Sequence, residues 1–136
     1  TKRLPEPRAE KNQGDLMKTL NIENATVTLV DENIVVFEAG SGATIDKNTA
    51  QHFYTEIERQ IDGDYSLIIN RKNRYQLLRF EVFNVINNQS RLKALAIVAP
   101  RDSAKKMVEI EAPLTKKPFS VFSKLDEAIA WLKTLP

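Results

Sequence analysis

The sequence predicts a single α/β domain, with a mixed, mostly parallel five-stranded sheet and four helices in the order β-β-α-β-α-β-α-β-α. Apolar runs at 67–69 and 94–99 bracket an amphipathic segment. Short runs rich in β-branched residues are typical of strands buried on both faces. A helix joining two such strands makes a crossover between parallel strands. A hairpin pattern precedes this unit, so the predicted sheet is mixed.

Composition indicates one ordinary globular domain. The chain has 136 residues, of which 42% are hydrophobic and 28% charged, enough for one core and too few for two. It has no cysteine, which excludes disulfides, thiolate metal sites and thiol nucleophiles. We therefore expect a reducing, cytoplasmic compartment. No apolar run approaches the roughly 18 residues of a membrane span, and no signal-peptide pattern opens the chain.

The net charge of +2 belongs to residues 1–18, because the remaining acidic and basic residues balance. Nucleic-acid binding needs a basic surface that neutralises phosphates, and residues 19–136 have no net charge. We therefore expect no nucleic-acid partner. Residues 1–18 also contain two prolines and no apolar periodicity. We predict that they form a disordered tail or leader and that residues 19–136 form the domain.

The first elements follow from local patterns. Alternating residues at 26–30, a turn at 31–33 and a β-branched return at 34–37 predict a hairpin. Asp46 is a suitable N-cap for the next helix, and Gly63 marks its end. One face of that helix is apolar throughout. This face carries Ala50, Phe53, Tyr54, Ile57 and Ile61.

The later elements are predicted in the same way. On the crossover helix the expected core face carries Leu78, Val82, Val85 and Ile86. Ser103 is expected to cap a third helix ending near Glu111, with Met107 and Ile110 pointing inward. A last strand at Phe119–Phe122 leads into the fourth helix. Its expected inner face carries Leu125, Ala128, Ile129, Leu132 and Leu135, with Trp131 at the edge.

Motifs with catalytic or ligand chemistry are weak in this chain. Gly40-Ser-Gly42 lacks the Lys-Ser/Thr ending of a phosphate-binding loop and suits a plain connection. The letters Ser103-x-x-Lys106 lack the companion motifs of the β-lactamase class. The single histidine, His52, falls on a predicted solvent face, and no metal-ligand set exists. We therefore predict no enzyme activity, catalytic residue, cofactor or metal.

The unusual stretch runs from Arg71 to Phe83, where basic residues crowd around Tyr75 just after a strand ends. In open α/β sheets that end of the strands is where ligands and partners bind. A helical wheel places Phe80 opposite the expected core face and Phe83 well off it. Either both rings belong to a binding surface, or neighbouring loops bury them because the helix starts elsewhere. The predicted partner-binding residues are Arg71, Arg74, Tyr75, Arg79, Phe80 and Phe83.

The layout and short stretches of residues 20–136 resemble the STAS superfamily. The likeness is closest to the SpoIIAA-like, or STAS/SEC14-like, group of small bacterial proteins. Its most specific parts are the helix LDEAIAWL at Leu125–Leu132, the strand Phe119–Phe122 before it, and LKALAIVAP at Leu92–Pro100. The resemblance implies a mixed five-stranded sheet and four helices. The best-known members bind a kinase partner and are switched by phosphorylation of a serine.

The resemblance places the partner face at the loop after the 67–69 strand and at the helix that follows. Here Asn70–Leu78 contains no serine or threonine, so the switch residue is absent. We expect a protein-interaction or regulatory module that binds a protein partner or itself. A domain for a small molecule or lipid, with a small apolar ligand, is the alternative that the SEC14-like likeness suggests. A small enzyme or anion-binding protein is a third hypothesis.

Overall fold

The computed structural model describes residues 18–136, and its main sheet has six strands instead of the five predicted. Strand order is β1-β2-β3-β5-β7-β8. The first three strands are antiparallel neighbours, and β3, β5, β7 and β8 run parallel. The elements are β1 (Lys18–Ile22), β2 (Ala25–Asp31), β3 (Ile34–Ala39), β4 (Thr44–Ile45), α1 (Lys47–Gln60), β5 (Tyr65–Asn70), β6 (Gln76–Leu77), α2 (Arg79–Asn87), β7 (Leu92–Val98), α3 (Asp102–Glu111), β8 (Phe119–Phe122) and α4 (Leu125–Lys133), with a 3₁₀ turn at Ala112–Leu114.

The additional strand is β1, an edge strand that pairs with β2. Its partly buried Leu20 and buried Ile22 alternate with exposed Thr19 and Asn21. Two apolar positions are too few to predict a strand alone, so pairing with β2 defines it. Strand β1 begins at Lys18, the last residue of the predicted tail. The rest of that prediction, for residues 1–17, lies outside the described residues.

The helices cover both faces of the sheet, as the crossover pattern predicts. Helices α1, α2 and α3 pack on one face, where they form the larger apolar core. Helix α4 packs on the other face, over Ile68, Ala96 and Val98. Parallel pairing of β5 with β7 confirms the predicted β-α-β unit. The central strands are buried on both faces, which explains their continuous apolar runs.

The hairpin and α1 also agree with the prediction. Strands β2 and β3 pair across the turn at 32–33. The Thr49 amide donates a hydrogen bond of 2.9 Å to the Asp46 carboxylate, which therefore caps α1. The five predicted core residues of this region are all buried. Gly63 has φ of +80°, a left-handed conformation that favours glycine after a helix.

The phase predicted for α2 is wrong at two residues. Leu78 precedes the helix as its N-cap and is 37% exposed, whereas Phe83 is 1% exposed. The buried face is broad because α2 packs against α1 and the 3₁₀ turn as well as the sheet. The Phe83 ring lies among residues that include Phe53 and Tyr54 of α1. The prediction that Phe80 faces outward is confirmed.

The inward face of α3 also differs from the expectation. Ile110 is 53% exposed and Met107 only half-buried, while Ala104, Val108 and Glu111 are buried. Ser103 does not cap the helix, because Arg101 occupies the N-cap position without a side-chain cap. Apolar periodicity could not predict which face of α3 is buried, since one residue of that face, Glu111, is acidic.

A two-strand parallel pair, β4 with β6, ties the loop after β3 to the loop after β5. The Gly42 amide donates to the Arg74 carbonyl at 2.8 Å, and the Gln76 amide donates to the Ala43 carbonyl at 2.8 Å. Gly42 has φ of +79°. This Gly40–Gly42 segment therefore acts as a connection, as the sequence suggested, and two of its amides, those of Gly40 and Gly42, are already hydrogen-bonded.

No helix in residues 18–136 is long and apolar enough to cross a membrane.

Candidate partner-binding site

Five of the six predicted site residues lie at the carboxyl-terminal end of the parallel strands, whereas Phe83 is buried in the core. Arg71 follows β5 directly, Arg74 lies in the loop after it, and Arg79 begins α2. Arg101 follows β7, the neighbouring parallel strand, and therefore reaches the same end of the sheet. We call this surface, from Arg71 to Phe80 together with Arg101 and the first turn of α3, the arginine edge.

Arg71 is the buried centre of the arginine edge, only 4% exposed. Its Nη1 donates to the Glu111 carboxylate of α3, and both side chains are out of contact with water. Its guanidinium carbon lies 5.1 Å from the centre of the Tyr75 ring, a cation–π contact. Arg71 therefore anchors the loop to α3. Its charge is neutralised inside the protein instead of being presented to a partner.

Glu111 is completely buried, and burial raises the pKa of its carboxyl, against the opposing effect of Arg71 and Arg79. Its Oε2 has no hydrogen-bond partner among the described residues, and neither does the buried Nε of Arg79. Arg79 contacts α3 through Met107, with Nη2 3.9 Å from the sulfur. A carboxylate flanked by two guanidinium groups is thus the electrostatic core behind the site. Burial likewise raises the pKa of the half-buried Tyr75.

Arg101 holds the loop after β5 in place. Its Nη2 donates to the carbonyls of Arg71 at 2.9 Å and Asn73 at 3.4 Å, and its Nη1 lies 3.4 Å from the Ser103 hydroxyl. No carboxylate of residues 18–136 forms an ion pair with it. The guanidinium is therefore bonded to neutral oxygens and keeps its full charge.

Arg74 and Phe80 are the exposed members of the predicted set. The Arg74 side chain is exposed and makes no hydrogen bond or ion pair with the described part of the chain. The Phe80 ring is 76% exposed. The nearby Lys72, in contrast, pairs with Glu38 at 3.1 Å. Arg74 and Phe80 are therefore the two side chains that are free to contact another molecule.

A cavity of about 250 Å³ opens between the loop after β5 and the start of α3. We call it the arginine cleft, and none of its lining residues is acidic. They are Arg71, Asn73, Arg74, Tyr75, Arg101, Ser103, Ala104 and Met107. The sequence predicted three of these eight residues, Arg71, Arg74 and Tyr75, and missed the other five, Arg101 among them. The missed signal was topological, because Arg101 follows β7 as Arg71 follows β5.

The main apolar core encloses little free space. One space lies under the β4–β6 pair between α1, α2 and the sheet, and its volume is about 30 Å³. Pockets that hold drug-sized ligands measure about 300–1,000 Å³. A lipid chain therefore does not fit into this space in the present conformation. The small apolar ligand stays a prediction.

A larger cavity of about 640 Å³ lies at the opposite end of the strands. We call it the lysine cleft, because Lys93 and Lys133 line it together with Asp31 and Asp64. Here each lysine faces an aspartate, at 3.1 Å for Lys133–Asp31 and 3.7 Å for Lys93–Asp64. The Glu32 amide and Lys133 hold the pKa of Asp31 below its usual value. The charges of this cleft therefore cancel one another.

Among residues 18–136 no group of three histidine, cysteine or acidic side chains could hold a metal ion. His52 is exposed on α1, as predicted, and its Nδ1 lies 3.3 Å from Glu23. It does not line the cavity between the loop after β5 and the start of α3.

Comparison with known families places most of the chain in one of them. The family model described as SpoIIAA-like matches residues 34–133 of the chain. The matched range begins at β3 and ends at the last residue of α4, so it contains every element that builds the arginine edge. No curated protein and no solved structure matches the chain.

Proposed function

Since the chain belongs to the SpoIIAA-like family of the STAS superfamily, we propose that it is a non-enzymatic protein-interaction or regulatory module whose partner-binding face is the arginine edge. The family supports a regulatory or interaction role in general. The position of the face is our own inference from the side chains at this end of the sheet. The cytoplasmic location expected from the cysteine-free composition is part of the same proposal.

The exposed ring of Phe80 is the observation that carries this proposal. A phenylalanine 76% exposed at the first turn of a helix contributes little to the core, yet it keeps a large apolar surface in water. Arg74 supplies a charge from the preceding loop that no side chain of residues 18–136 pairs. Aromatic and arginine side chains are the residue types that dominate binding energy at interfaces. Together they favour a partner surface that is apolar at its centre and acidic beside it.

Regulation of this module would differ from that of the best-known members. The segment from Asn70 to Leu78 carries no hydroxyl side chain that a serine/threonine kinase could modify, although Tyr75 lies there, half-buried under Arg71. A charge switch inside this loop is therefore not part of the proposal. Binding is constitutive with respect to serine or threonine phosphorylation of that loop.

Quantitative affinity capture tests the proposal. The immobilised protein and its Phe80→Ser variant are incubated with a lysate of the source organism, and retained proteins are quantified by mass spectrometry. Sedimentation of both purified proteins covers the case in which the partner is a second copy. We expect the variant to lose a defined retained protein or its self-association while its melting temperature stays unchanged.

Val121→Ser is the matched control, since Val121 is an apolar side chain, 38% exposed, on the edge strand β8. It should retain whatever the unmodified protein retains. Equal capture by the Phe80→Ser variant and the unmodified protein, with both remaining monomeric, would contradict the proposal. Loss of capture by both variants would also contradict it, because the partner would then not distinguish the two surfaces.

A further inference from the structure

The charges that line the arginine cleft are of one sign and are unevenly neutralised. Arg71 is paired with Glu111 behind the cleft. Arg74 and Arg101 line the same cavity and have no carboxylate partner in residues 18–136. Two guanidinium charges therefore face about 250 Å³ of open space without a counter-charge in the lining. Arginine side chains that line one cavity without a counter-charge are well suited to bind a doubly charged oxyanion.

Arg101 is fixed in orientation before any ligand arrives. Its Nη2 is held by two loop carbonyls, and its buried Nε has no acceptor in the described chain. Two neutral carbonyls satisfy part of its bonding capacity and none of its charge. A guanidinium held in this way loses little conformational freedom on binding an anion, which favours affinity.

Neutral donors complete the lining. The Ser103 hydroxyl and the first turn of α3 adjoin Arg101 in the cleft, and no side chain caps that helix. The early amides of a ten-residue helix carry partial positive charge and add to the pull of the arginines. Asp102 is an exposed carboxylate in the same turn but does not line the cleft. Its negative charge lowers the attraction of the cleft for an anion, but its carboxylate does not fill the cleft.

The volume of the cleft restricts what it can enclose. It is smaller than the roughly 300–1,000 Å³ of pockets that enclose whole drug-sized molecules. It therefore suits the charged end group of a molecule whose remainder stays outside. A phosphate monoester carries close to two negative charges at neutral pH and three acceptor oxygens, which matches two unpaired guanidinium groups. A carboxylate supplies one charge and would leave the other unmatched.

We propose that the arginine cleft binds a phosphate monoester group, with Arg74 and Arg101 as its charge partners. The group could be supplied by a phosphorylated protein side chain or by a small phosphorylated molecule, and the cleft recognises the chemistry that both share. The site goes beyond the protein-binding proposal, because it is tested with phosphate compounds alone and could exist without any protein partner.

The test is an NMR titration of the full ¹⁵N-labelled chain with inorganic phosphate, phenyl phosphate, a phosphoserine peptide and benzoate at constant ionic strength. We expect saturable shifts for the three phosphates, centred on the amides of Ser103 and Ala104. Benzoate should bind at least about tenfold more weakly, since it lacks one charge-assisted contact. Tighter binding of the peptide than of phenyl phosphate would identify a protein source, and the reverse a small molecule.

Arg74→Gln is the variant of choice, because the Arg74 side chain has no partner within residues 18–136 whose loss could disturb the fold. It should weaken phosphate binding about tenfold. Arg59→Gln is its control, an exposed arginine on α1 that should leave binding unchanged. The proposal is overturned if benzoate binds as tightly as phosphate, if both variants weaken binding equally, or if the shifts follow the lysine cleft instead of Ser103.

Discussion

The two ends of the parallel strands carry similar charged residues in different states of pairing. At the amino-terminal end, each of the two lysines in the large lysine cleft faces an aspartate. At the carboxyl-terminal end, Arg74 and Arg101 face a smaller cleft without acidic lining. Size alone would select the lysine cleft as the binding site. Pairing selects the arginine edge, because charges that already have partners have little to gain from a ligand.

The arginine edge also separates two kinds of positive charge. Arg71 is buried and belongs to the structure, whereas Arg74 is exposed and belongs to the surface. Both follow the same strand and look equivalent in the sequence. The members of a basic cluster therefore have to be sorted by burial and by partner before any of them is assigned to binding.

Removing the carboxylate behind the arginine edge should cost most. Glu111→Leu leaves the Arg71 guanidinium buried without its partner, and arginine cannot escape by losing its proton. We expect a loss of about 3–5 kcal/mol in the free energy of unfolding. Urea denaturation measures it. The double variant Arg71→Met with Glu111→Leu should regain a large part, because it removes both charges together.

Lys133→Ala provides the matching measurement at the other end of the strands. Its partner Asp31 and Lys133 itself are both substantially exposed, so the loss should stay within about 1 kcal/mol. If Lys133→Ala cost as much stability as Glu111→Leu, the ion pairs at the two ends of the strands would not differ in strength.

The two phenylalanines of α2, Phe83 and Phe80, should differ strongly in how much each contributes to the free energy of unfolding. Phe83 is 1% exposed, and truncating a buried phenylalanine to alanine costs about 3–5 kcal/mol. Thermal and urea unfolding of Phe83→Ala measure this cost. A small effect would mean that the ring is less well packed than its burial indicates. Because Phe83 is buried, it is not among the partner-binding residues of the arginine edge.

The pH dependence of stability should carry a contribution from Glu111. Burial raises its pKa in the folded protein, so the folded state binds the proton more tightly than the unfolded chain. The stability from protonated Glu111 is fully present below the ordinary carboxyl pKa and is lost as pH rises through the raised value. We therefore expect the unmodified protein to lose stability relative to Glu111→Gln as pH rises from about 4.3.

Unfolding curves of both proteins across that pH range, recorded at constant ionic strength, provide the measurement. A difference that does not change with pH, or that changes in the opposite direction, would mean that Arg71 and Arg79 outweigh burial at this carboxyl.

Phe80→Ser should have the smallest effect on stability, within about 0.5 kcal/mol, as for ordinary surface positions. The ring is 76% exposed and contributes little to the core. Differential scanning calorimetry beside Phe83→Ala makes the comparison within one helix. A loss of several kcal/mol would place Phe80 in the core and remove the main support for a partner face.

The parts of the fold that the sequence predicts are those with long, clean periodicity. Helices α1 and α4 and the central strands each repeat one pattern, so their buried faces follow from it. Helices α2 and α3 break that rule for different reasons. Helix α2 is covered on more than one side, which buries Phe83, and α3 places Glu111 where a stripe of apolar residues is expected.

The candidate site was predictable in position and only partly in composition. The strand end identifies Arg71 and Arg74, because a buried run stops there and basic residues begin. Burial of Arg71 was not predictable, since its partner Glu111 lies 40 residues away. Arg101 could have been added from topology, because parallel neighbours end at the same edge. Charge pairing across a sheet is a tertiary property that no local window contains.

Site-specific photocrosslinking tests the central claim most directly. The photoreactive p-benzoylphenylalanine replaces Phe80, keeping an aromatic ring in place, and in separate proteins replaces Val121 or Lys133. Each protein is illuminated in cells of the source organism and the products are separated and identified. We expect one discrete crosslinked product from position 80 and none from positions 121 and 133. Crosslinks from position 133 without any from position 80 would contradict the claim, because the partner would then bind at the opposite end of the strands.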